Sequence, residues 1–182
     1  MRIAISGAHG VGKTTLAKSL AAKLNLPLVE EVARSVAAEN GFKTTTDIQN
    51  AVPSARALYQ HSVFFRQVMK EDYYHRGYVS DRSVFDCVAY CILYDLHHDF
   101  ISFLRAEAIK HSSDYDFIVY CPIPSNGIAD DGFRLTDQES QKMINDSIQT
   151  LLKFAKCPVL RLGENRERWE EEVLEYIRGR KG

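Results

Sequence analysis

Short apolar runs alternate with helical patterns along the whole chain. Five runs predict buried strands, at residues 2–6, 26–30, 78–81, 117–121 and 158–162. Between them the apolar positions recur with a helical period; in residues 13–24, for example, Leu16, Leu20 and Leu24 fall on one face. Strands that alternate with helices form parallel sheets. The pattern therefore predicts one α/β domain over residues 1–182, with a five-stranded, mainly parallel sheet covered by helices on both faces.

Capping and breaking residues mark the ends of the helical segments. Seven helices are predicted, at about residues 13–24, 32–39, 54–75, 83–94, 101–110, 136–152 and from residue 165 onward. Ser54 is a candidate cap for the long third helix, and Thr136 with Glu139 is a candidate capping box for the sixth. Met143 belongs to the apolar stripe that we expect the sixth helix to turn toward the core.

Two segments follow neither the strand period nor the helix period. Residues 41–53 are polar and rich in threonine, so we expect the most mobile part of the first half there. Residues 124–135 are rich in glycine, proline, aspartate and asparagine, which predicts a loop. A loop of this kind is suited to act as a lid over a binding site.

The composition is that of an ordinary globular protein, with 45% hydrophobic and 26% charged residues in a chain of 182. The formal net charge is −1. Proteins that bind duplex nucleic acid usually carry a basic excess on one face, so this balance disfavours nucleic acid as the main partner. A local basic patch is still compatible with a neutral total.

The cysteines and the N-terminal residues bear on the compartment. Cys87, Cys91, Cys121 and Cys157 show no C-x-x-C spacing, and we expect buried, reduced thiols. The chain opens directly into the first strand, so no signal peptide is expected. No apolar run approaches the ~20 residues of a membrane span. The sequence predicts a cytoplasmic protein that does not associate with membranes.

Residues 7–14 (G-A-H-G-V-G-K-T) match the phosphate-binding loop G-x-x-x-x-G-K-[ST] at every fixed position. Glycines let the backbone turn sharply and point its N–H groups at one anion, and the helix that follows adds its positive end. In such a loop Lys13 reaches the β and γ phosphates of ATP, and the Thr14 hydroxyl binds Mg²⁺. The predicted ATP-binding residues are Gly7, His9, Gly10, Val11, Gly12, Lys13, Thr14 and Thr15. No individual side-chain role is assigned to His9 or Val11.

The phosphate loop alone is compatible with kinases, GTPase switches and ATP-driven machines. A GTPase would carry an N-K-x-D guanine motif, which the sequence lacks. A ring ATPase would normally need a longer chain with further helical parts. A kinase needs an acceptor-binding site, a second carboxylate near the metal, and cations over the transferred phosphoryl group.

Three further stretches resemble small-molecule kinases. Asp81-Arg82-Ser83, with the helix predicted after it, resembles the D-R-[YS] stretch of thymidylate kinases. Residues 31–34 (E-V-A-R) and 130–134 (D-D-G-F-R) resemble segments of the ribosylnicotinamide kinase domain of bacterial NAD regulators. These stretches and the phosphate loop occur in the same order as in those kinases and extend over most of the chain. The sequence thus resembles the P-loop nucleoside and nucleotide kinases.

The resemblance implies roles for particular residues. Catalysis would involve Lys13, Asp81 and Arg134, with Arg134 on a lid over the γ-phosphate. Thr14 and Asp81 would hold Mg²⁺, and Asp81 ends a predicted strand, where open parallel sheets bind ligands. The residues implied to contact the acceptor are Glu31, Arg34, Arg82 and Asp131.

Structural alternatives exist for the residues around the third strand. Asp81 could cap the following helix instead of serving the metal, although Ser83 with Asp86 offers a competing capping pair. Arg82 could be a plain surface arginine instead of a phosphate contact.

Alternatives also exist for the other candidate residues. Glu31 and Arg34 could form an exposed i, i+3 ion pair, and Glu30 could be the acid that points inward. Arg134 could pair with a neighbouring aspartate in a solvated loop. Residues 163–165 follow the last strand, where related kinases place the adenine; this assignment rests on the resemblance.

The sequence favours Mg²⁺-dependent transfer of the ATP γ-phosphate to a small nucleoside or nucleoside monophosphate. Two alternatives stay open: a kinase acting on a nucleic-acid end or a modified base, and a module that senses nucleotide without turnover. The acceptor itself is not determined by the sequence. The long helix predicted from residue 54 could be a homodimer interface or part of the core.

Overall fold

A parallel sheet forms the centre of the structure, a computed structural model that describes residues 1–123 and 138–180. The strands are β1 Arg2–Ser6, β2 Leu28–Val29, β3 Tyr78–Ser80, β4 Phe117–Tyr120 and β5 Val159–Arg161. They lie in the order β2-β3-β1-β4-β5, and each neighbouring pair is parallel. The predicted α/β fold with a five-stranded sheet is confirmed, and the sheet is wholly parallel over the described residues.

Helices connect the strands and follow the last one. They are α1 Lys13–Leu24, α2 Ala33–Glu39, α3 Thr45–Asn50, α4 Pro53–Tyr73, α5 Val84–Leu93, α6 His98–His111, α7 Gln138–Leu152 and α8 Trp169–Gly179. Two 3-10 turns, Ser112–Asp114 and Arg166–Arg168, precede β4 and α8 respectively. All seven predicted helices are present, and β1 and α1 have the predicted bounds.

The helices form two groups. α1 packs against α8, whereas α5 packs against α4, α6 and α7. From β1 the chain moves toward one edge of the sheet to form β2. Each later connection, from β2 to β3, β4 and β5 in turn, moves toward the opposite edge. Because crossovers between parallel strands are right-handed, the two groups cover opposite faces of the sheet.

Helix α5 is enclosed by its neighbours on almost every side. Seven of its ten residues are buried, including Val84, Phe85 and Val88. A helix that is apolar all round is stable only inside a protein, and α4, α6 and α7 provide that environment. The polar exception, Asp86, is buried in its first turn and belongs to the site described below.

The structure corrects three predictions about the helices. Residues 41–53 contain helix α3, which begins with a capping box between Thr44 and Asp47. Helix α4 begins at Pro53, one residue before the predicted cap Ser54, because proline is suited to the first helical position. Met143 is half exposed on α7 instead of facing the core. The predicted cap Thr136 lies outside the described residues.

All four cysteines are free thiols. Cys87, Cys91 and Cys121 are buried, and Cys157 is partly buried. Burial raises the pKa of the Cys91 thiol to about 12 and that of Cys157 to about 11, and it also raises the pKa values of Cys87 and Cys121. These thiols are therefore weak nucleophiles in the folded protein.

Within residues 1–123 and 138–180, none of the helices combines the length and the apolar character that a membrane span requires.

Candidate active site

The phosphate loop connects β1 to α1 and fits closely under the end of β4. Gly7 has φ +150°, and a Cβ there would lie 2.5 Å from the carbonyl oxygen of Cys121. Only glycine satisfies both the backbone angle and the space. Gly10 and Gly12 also have positive φ, and Gly12 is the residue from which α1 starts. The loop therefore ends at a helix N-terminus, where unpaired N–H groups favour a bound phosphate.

A buried carboxylate fixes the start of the phosphate loop. Asp86 accepts a hydrogen bond from the Ser6 hydroxyl at 2.6 Å through Oδ2 and one from the Gly7 N–H at 3.1 Å through Oδ1. Asp86 also completes the capping box of α5 with Ser83, as the sequence suggested. Sequence reasoning identified that local pairing but missed the contact with a loop some 80 residues away. The acidic third residue of a buried helix was the available signal.

Lys13 and Thr14 occupy the first turn of α1. The Lys13 side chain is buried, and its ammonium group donates a hydrogen bond to the Ala8 carbonyl within the loop. The Thr14 hydroxyl donates to Asp81 Oδ2 at 2.7 Å. The structure thus brings the loop threonine and the carboxylate after β3 together, as the sequence predicted for a metal site. Because Ser83 caps α5, the alternative role of Asp81 as a helix cap is excluded.

The pair of Thr14 and Asp81 fits a magnesium ion. Asp81 is 4% exposed, and its Oδ1 atom has no hydrogen-bond partner among the described residues. A buried carboxylate oxygen without a partner is costly, so it is suited to bind an ion or the ion's water. The described residues contain no cluster of three or more metal-ligating side chains. Mg²⁺ does not need one, because it typically takes one or two protein oxygens together with phosphates and waters.

A cleft that is partly open to solvent lies at Arg82, the residue that follows Asp81. It is lined by residues from α2, α3, α4 and α5 and by the ends of β2 and β3. Those discussed below are Glu31, Tyr59, Gln60, Gln67, Arg82, Asp86, Tyr90 and Tyr94. Polar groups and aromatic rings in one concave site are typical of small-molecule pockets.

Arg82 is the central charge of this cleft. Its guanidinium lies 3.1 Å from Glu31 Oε1 and 3.6 Å from Asp86 Oδ1, and it is 5.9 Å from the ring centroid of Tyr90. The residue is 6% exposed. Its φ of +148° is rare for a residue with a side chain, and such strain is concentrated at functional sites. The alternative of a plain surface arginine is excluded.

The guanidinium of Arg82 is charged and has unused donors. Burial alone would lower its pKa, but Glu31, Tyr90 and Asp86 outweigh this effect and raise the pKa above its ordinary value. The Nε and Nη1 groups form no hydrogen bond among the described residues. A buried cation that keeps unused N–H groups is suited to bind an anionic or strongly polar ligand.

The remaining predicted acceptor contacts are distributed differently. Glu31 faces the cleft, whereas Glu30 is exposed beside a separate groove between β2 and α4. The sequence had left open which of these acids points inward. Arg34 is exposed on α2 and is not among the residues that line the cleft. Asp131 and Arg134 lie outside the described residues.

Two further contacts link the phosphate loop to α5 and α7. His9 is 5% exposed, and its Nδ1 lies 3.3 Å from the hydroxyl of Tyr90, which lines the cleft. Gln141 donates a hydrogen bond of 2.9 Å from its side-chain N–H to the His9 carbonyl. Sequence reasoning gave His9 no side-chain role, since it stands at a variable position of the motif.

A second groove borders the phosphate loop on the side of α8. It is lined by Gly10, Gly12, Thr15, Leu16, Ser19, Arg166, Trp169 and Glu170. Arg166 lies close to Gly12. A Cβ added to that glycine would be 3.1 Å from Arg166 Cδ. The segment 163–165, for which the sequence predicted an adenine contact, is held by a 2.6 Å hydrogen bond from the Trp169 indole to the Gly163 carbonyl. The groove is therefore lined by the phosphate loop and α1 and by residues that follow the predicted adenine segment.

Comparison with known proteins identifies the family. Residues 2–171 match the family described as AAA domain. The chain belongs to this family. None of the curated proteins matches the sequence.

Several solved structures have the same fold as this AAA-domain protein. Deoxyadenosine kinase from M. mycoides with bound dCTP is 15% identical, with a TM-score of 0.67 over 98% of this chain and 100% of that one. NadR in complex with NR is 19% identical, with a TM-score of 0.74 over 97% of this chain and 50% of NadR. Thymidylate kinase from Candida albicans is 18% identical, with a TM-score of 0.69 over 98% and 91% of the two chains.

The AAA-domain chain spans about half the length of NadR and nearly the full length of the other two. At these identities the likeness concerns the fold. The predicted resemblance to the P-loop nucleoside and nucleotide kinases is confirmed at that level.

Proposed function

We propose that this protein is a Mg²⁺-dependent kinase that transfers the γ-phosphate of ATP to a hydroxyl group of a nucleoside or nucleoside monophosphate. One observation carries the proposal. The buried, charged Arg82 lines a cleft and has N–H groups that form no hydrogen bond among the described residues, and its neighbour Asp81 is hydrogen-bonded to Thr14 of the phosphate loop. The phosphate loop and the proposed acceptor cleft thus lie next to each other, and the cation of Arg82 lines the cleft, as phosphoryl transfer requires.

The phosphate loop would hold ATP for this reaction. Its N–H groups and the Lys13 ammonium would bind the β and γ phosphates. Thr14 and Asp81 would hold Mg²⁺, directly or through its waters. When bound, Mg²⁺ supplies positive charge next to the phosphate oxygens. Asp86 would contribute by keeping the first turn of the loop in place before ATP arrives.

The cleft would orient the acceptor and stabilise the transferred group. The acceptor oxygen forms a bond to the γ-phosphorus while the bond from that phosphorus to the bridging oxygen of ADP breaks. A carboxylate, Glu31 or Asp81, would accept the hydroxyl proton. Arg82 would donate to the phosphoryl oxygens as negative charge shifts between them. We also propose that Arg134 contacts the transferred phosphoryl group and that Asp131 contacts the acceptor hydroxyls. Arg34 would bind the phosphate of an acceptor that carries one.

Several features support a small acceptor. The tyrosines that line the cleft suit a flat ring. Among the proteins with this fold are deoxyadenosine kinase and thymidylate kinase. The four free cysteines support a reducing compartment, and we propose a cytoplasmic location.

A coupled assay of ADP release over a panel of nucleosides and nucleoside monophosphates tests the proposal. We expect turnover of at least one acceptor in the presence of Mg²⁺. Arg82→Gln should lower kcat about 100-fold or more, as removal of a charge-stabilising donor does in other enzymes. The matched control, Arg105→Gln, replaces an exposed arginine on α6 and should leave kcat unchanged.

Two results would contradict the proposed reaction. ATP binding that depends on Lys13, without phosphorylation of any small acceptor, would indicate a nucleotide-sensing module. Labelled phosphate on an oligonucleotide, but on none of the small acceptors, would indicate a nucleic-acid kinase.

A further inference from the structure

Gln67 on α4 has a side-chain amide whose orientation is fixed by its surroundings. Its Nε2 group donates to Glu71 Oε1 at 2.7 Å and to Ser80 Oγ at 2.6 Å. An amide nitrogen has two hydrogens, so both are used. A rotation of the amide by half a turn would place its carbonyl oxygen against the carboxylate, which is repulsive.

Glu71 is itself held as an acceptor by four partners. Its Oε1 accepts from Gln67 and from the Ser80 hydroxyl, and its Oε2 accepts from the Tyr115 hydroxyl at 2.9 Å and contacts His111 Nε2 at 2.6 Å. The residue is 1% exposed. Because these partners hold both of its oxygens, the Glu71 carboxylate stays oriented toward Gln67. The orientation of the Gln67 amide is therefore set before any ligand binds.

The other end of the Gln67 amide lacks a partner. Its Oε1 atom forms no hydrogen bond among the described residues, although Gln67 is 1% exposed and lines the cleft. Leaving a buried carbonyl unpaired is costly, and a ligand with a suitable donor would recover that cost. Gln60, also buried in the wall of the cleft, has an unpaired carbonyl oxygen as well. Of these two glutamines, only Gln67 has its amide orientation fixed by the hydrogen bonds described above.

The shape of the cleft indicates what kind of group would meet this carbonyl. Tyr59, Tyr90 and Tyr94 line the same cleft, and flat heteroaromatic rings pack well against such side chains. The charged residues Glu31, Arg82 and Asp86 form a separate cluster, suited to hydroxyls and phosphate. A ring packed against these tyrosines would lie in the same cleft that Gln67 lines.

We propose that Gln67, oriented by Glu71 and Ser80, selects an acceptor whose ring carries an NH₂ group, as an exocyclic amine or a carboxamide. The inference rests on the proposed function for the phosphorylation step, but the binding preference can be measured without turnover. Gln67 would be a specificity-determining residue, and Glu71 a positioning residue that acts through it. A ring with a carbonyl or carboxylate at the same place would leave the Gln67 oxygen unpaired or repelled.

Paired ligands that differ only at the NH₂ group test the proposal. Adenosine is compared with purine riboside, cytidine with pyrimidin-2-one riboside, and nicotinamide riboside with nicotinic acid riboside. Calorimetry on the full chain gives the Kd of each. We expect the NH₂ member to bind at least about fivefold more tightly in the pair that the cleft accepts, the lower end of the cost of an unpaired buried group.

Variants separate selection from a structural role. Gln67→Met keeps a side chain of similar length and should bring the two Kd values of the pair within about twofold of each other. Glu71→Gln should also reduce the ratio, because two facing amides no longer fix each other's orientation. A residue with a merely structural role would weaken both members of the pair equally and leave the ratio unchanged.

The outcomes distinguish this inference from the proposed function. Equal Kd values in the wild-type protein, a preference that survives in a folded Gln67→Met variant, or no binding by any of the six ligands would overturn the inference. If Gln67→Met fails to fold, the wild-type ratio still decides. A clear preference in binding without phosphorylation of any ligand would support the inference while contradicting the kinase reaction.

Discussion

At the scale of single residues, one buried carboxylate holds the start of the phosphate loop in place. Asp86 joins Ser6, Gly7 and the start of α5 through its two oxygens, and it is 1% exposed. These hydrogen bonds satisfy buried polar groups that water cannot reach. The loop is therefore shaped before ATP binds, which saves the ordering cost at the moment of binding.

The substitution Asp86→Asn tests this preorganisation. The amide keeps one acceptor oxygen and presents an NH₂ group to donors, so we expect the free energy of unfolding to fall by about 1–3 kcal/mol. The Kd for ATP should rise several-fold. Urea denaturation and calorimetry with ATP measure the two effects. Asp99→Asn, at an exposed position in the first turn of α6, is the matched control and should stay within about 0.5 kcal/mol of wild type. A folded Asp86→Asn protein with unchanged ATP affinity would contradict the idea.

Sequence reasoning found the residues whose chemistry is written in a local motif. Lys13 and Thr14 follow from the phosphate loop alone. The resemblance implied that Thr14 and Asp81 share a metal ion, and Asp81 was expected at the site because it ends a predicted strand. The choice of Glu31 over Glu30 could not be made, since β2 is only two residues long and gives no period to read. The contacts of Asp86 with Ser6 and Gly7, and of Gln67 with Ser80, were missed because these partners belong to other elements of the fold.

At the scale of elements, local signals decided how well each boundary was predicted. The strong apolar periods of β1 and α1 gave their bounds correctly. Helix α3 was missed because it is short and polar, although the T-x-x-D spacing of Thr44 and Asp47 was a readable capping signal. The proline at the start of α4 outweighed Ser54 as a start signal, since it needs no N–H partner there.

The packing of α4 against α6 depends on a titratable contact. His111 at the end of α6 touches Glu71 of α4 and faces Asp114, Asp72 and Tyr115. Burial alone would lower the pKa of His111, but its hydrogen bond with Glu71 and the nearby acids raise the pKa above the ordinary value. The charged histidine therefore stabilises the folded state at pH below about 6.5, and this contribution is lost as the pH rises through the higher folded-state pKa.

The substitution His111→Gln should reveal this dependence. We expect the loss of unfolding free energy, measured by urea denaturation, to be larger at pH 6 than at pH 9, and at pH 6 to reach about 1.5 kcal/mol, typical of a hydrogen bond to a charged group. His61→Gln on the exposed side of α4 provides the comparison and should give the same small difference at both pH values. A pH-independent loss for His111→Gln would show that the contact contributes through packing alone.

At the scale of the whole molecule, the two helix groups meet the ligand sites on different sides. α1 and α8 border the groove next to Gly12, whereas residues of α2 to α5 line the cleft around Arg82. Helix α8 is fixed by the buried Trp169 and by contacts from Ser19 and Lys23 of α1 to Glu170. ATP would thus be bound mainly by the part of the fold built on β1, α1 and α8.

Ligand binding should stabilise the entire chain because the phosphate loop is joined to both helix groups. An ATP concentration 100 times the Kd, with Mg²⁺, should add about 2.7 kcal/mol to the free energy of unfolding, seen as a rise in Tm. Lys13→Ala should abolish the rise, and the exposed Lys18→Ala should keep it. A rise in Tm that persists in Lys13→Ala would place the nucleotide elsewhere.

The buried thiols make the chain a reporter of its own unfolding. Cys87, Cys91 and Cys121 are shielded from solvent and weakly acidic, so an alkylating reagent can reach them only when the surrounding helices and strands separate. The mass added by such a reagent over time would count the molecules that have opened. Mg²⁺ and ATP should slow that modification in proportion to the occupancy of the phosphate loop. The rate of thiol modification would therefore measure nucleotide binding without any engineered probe.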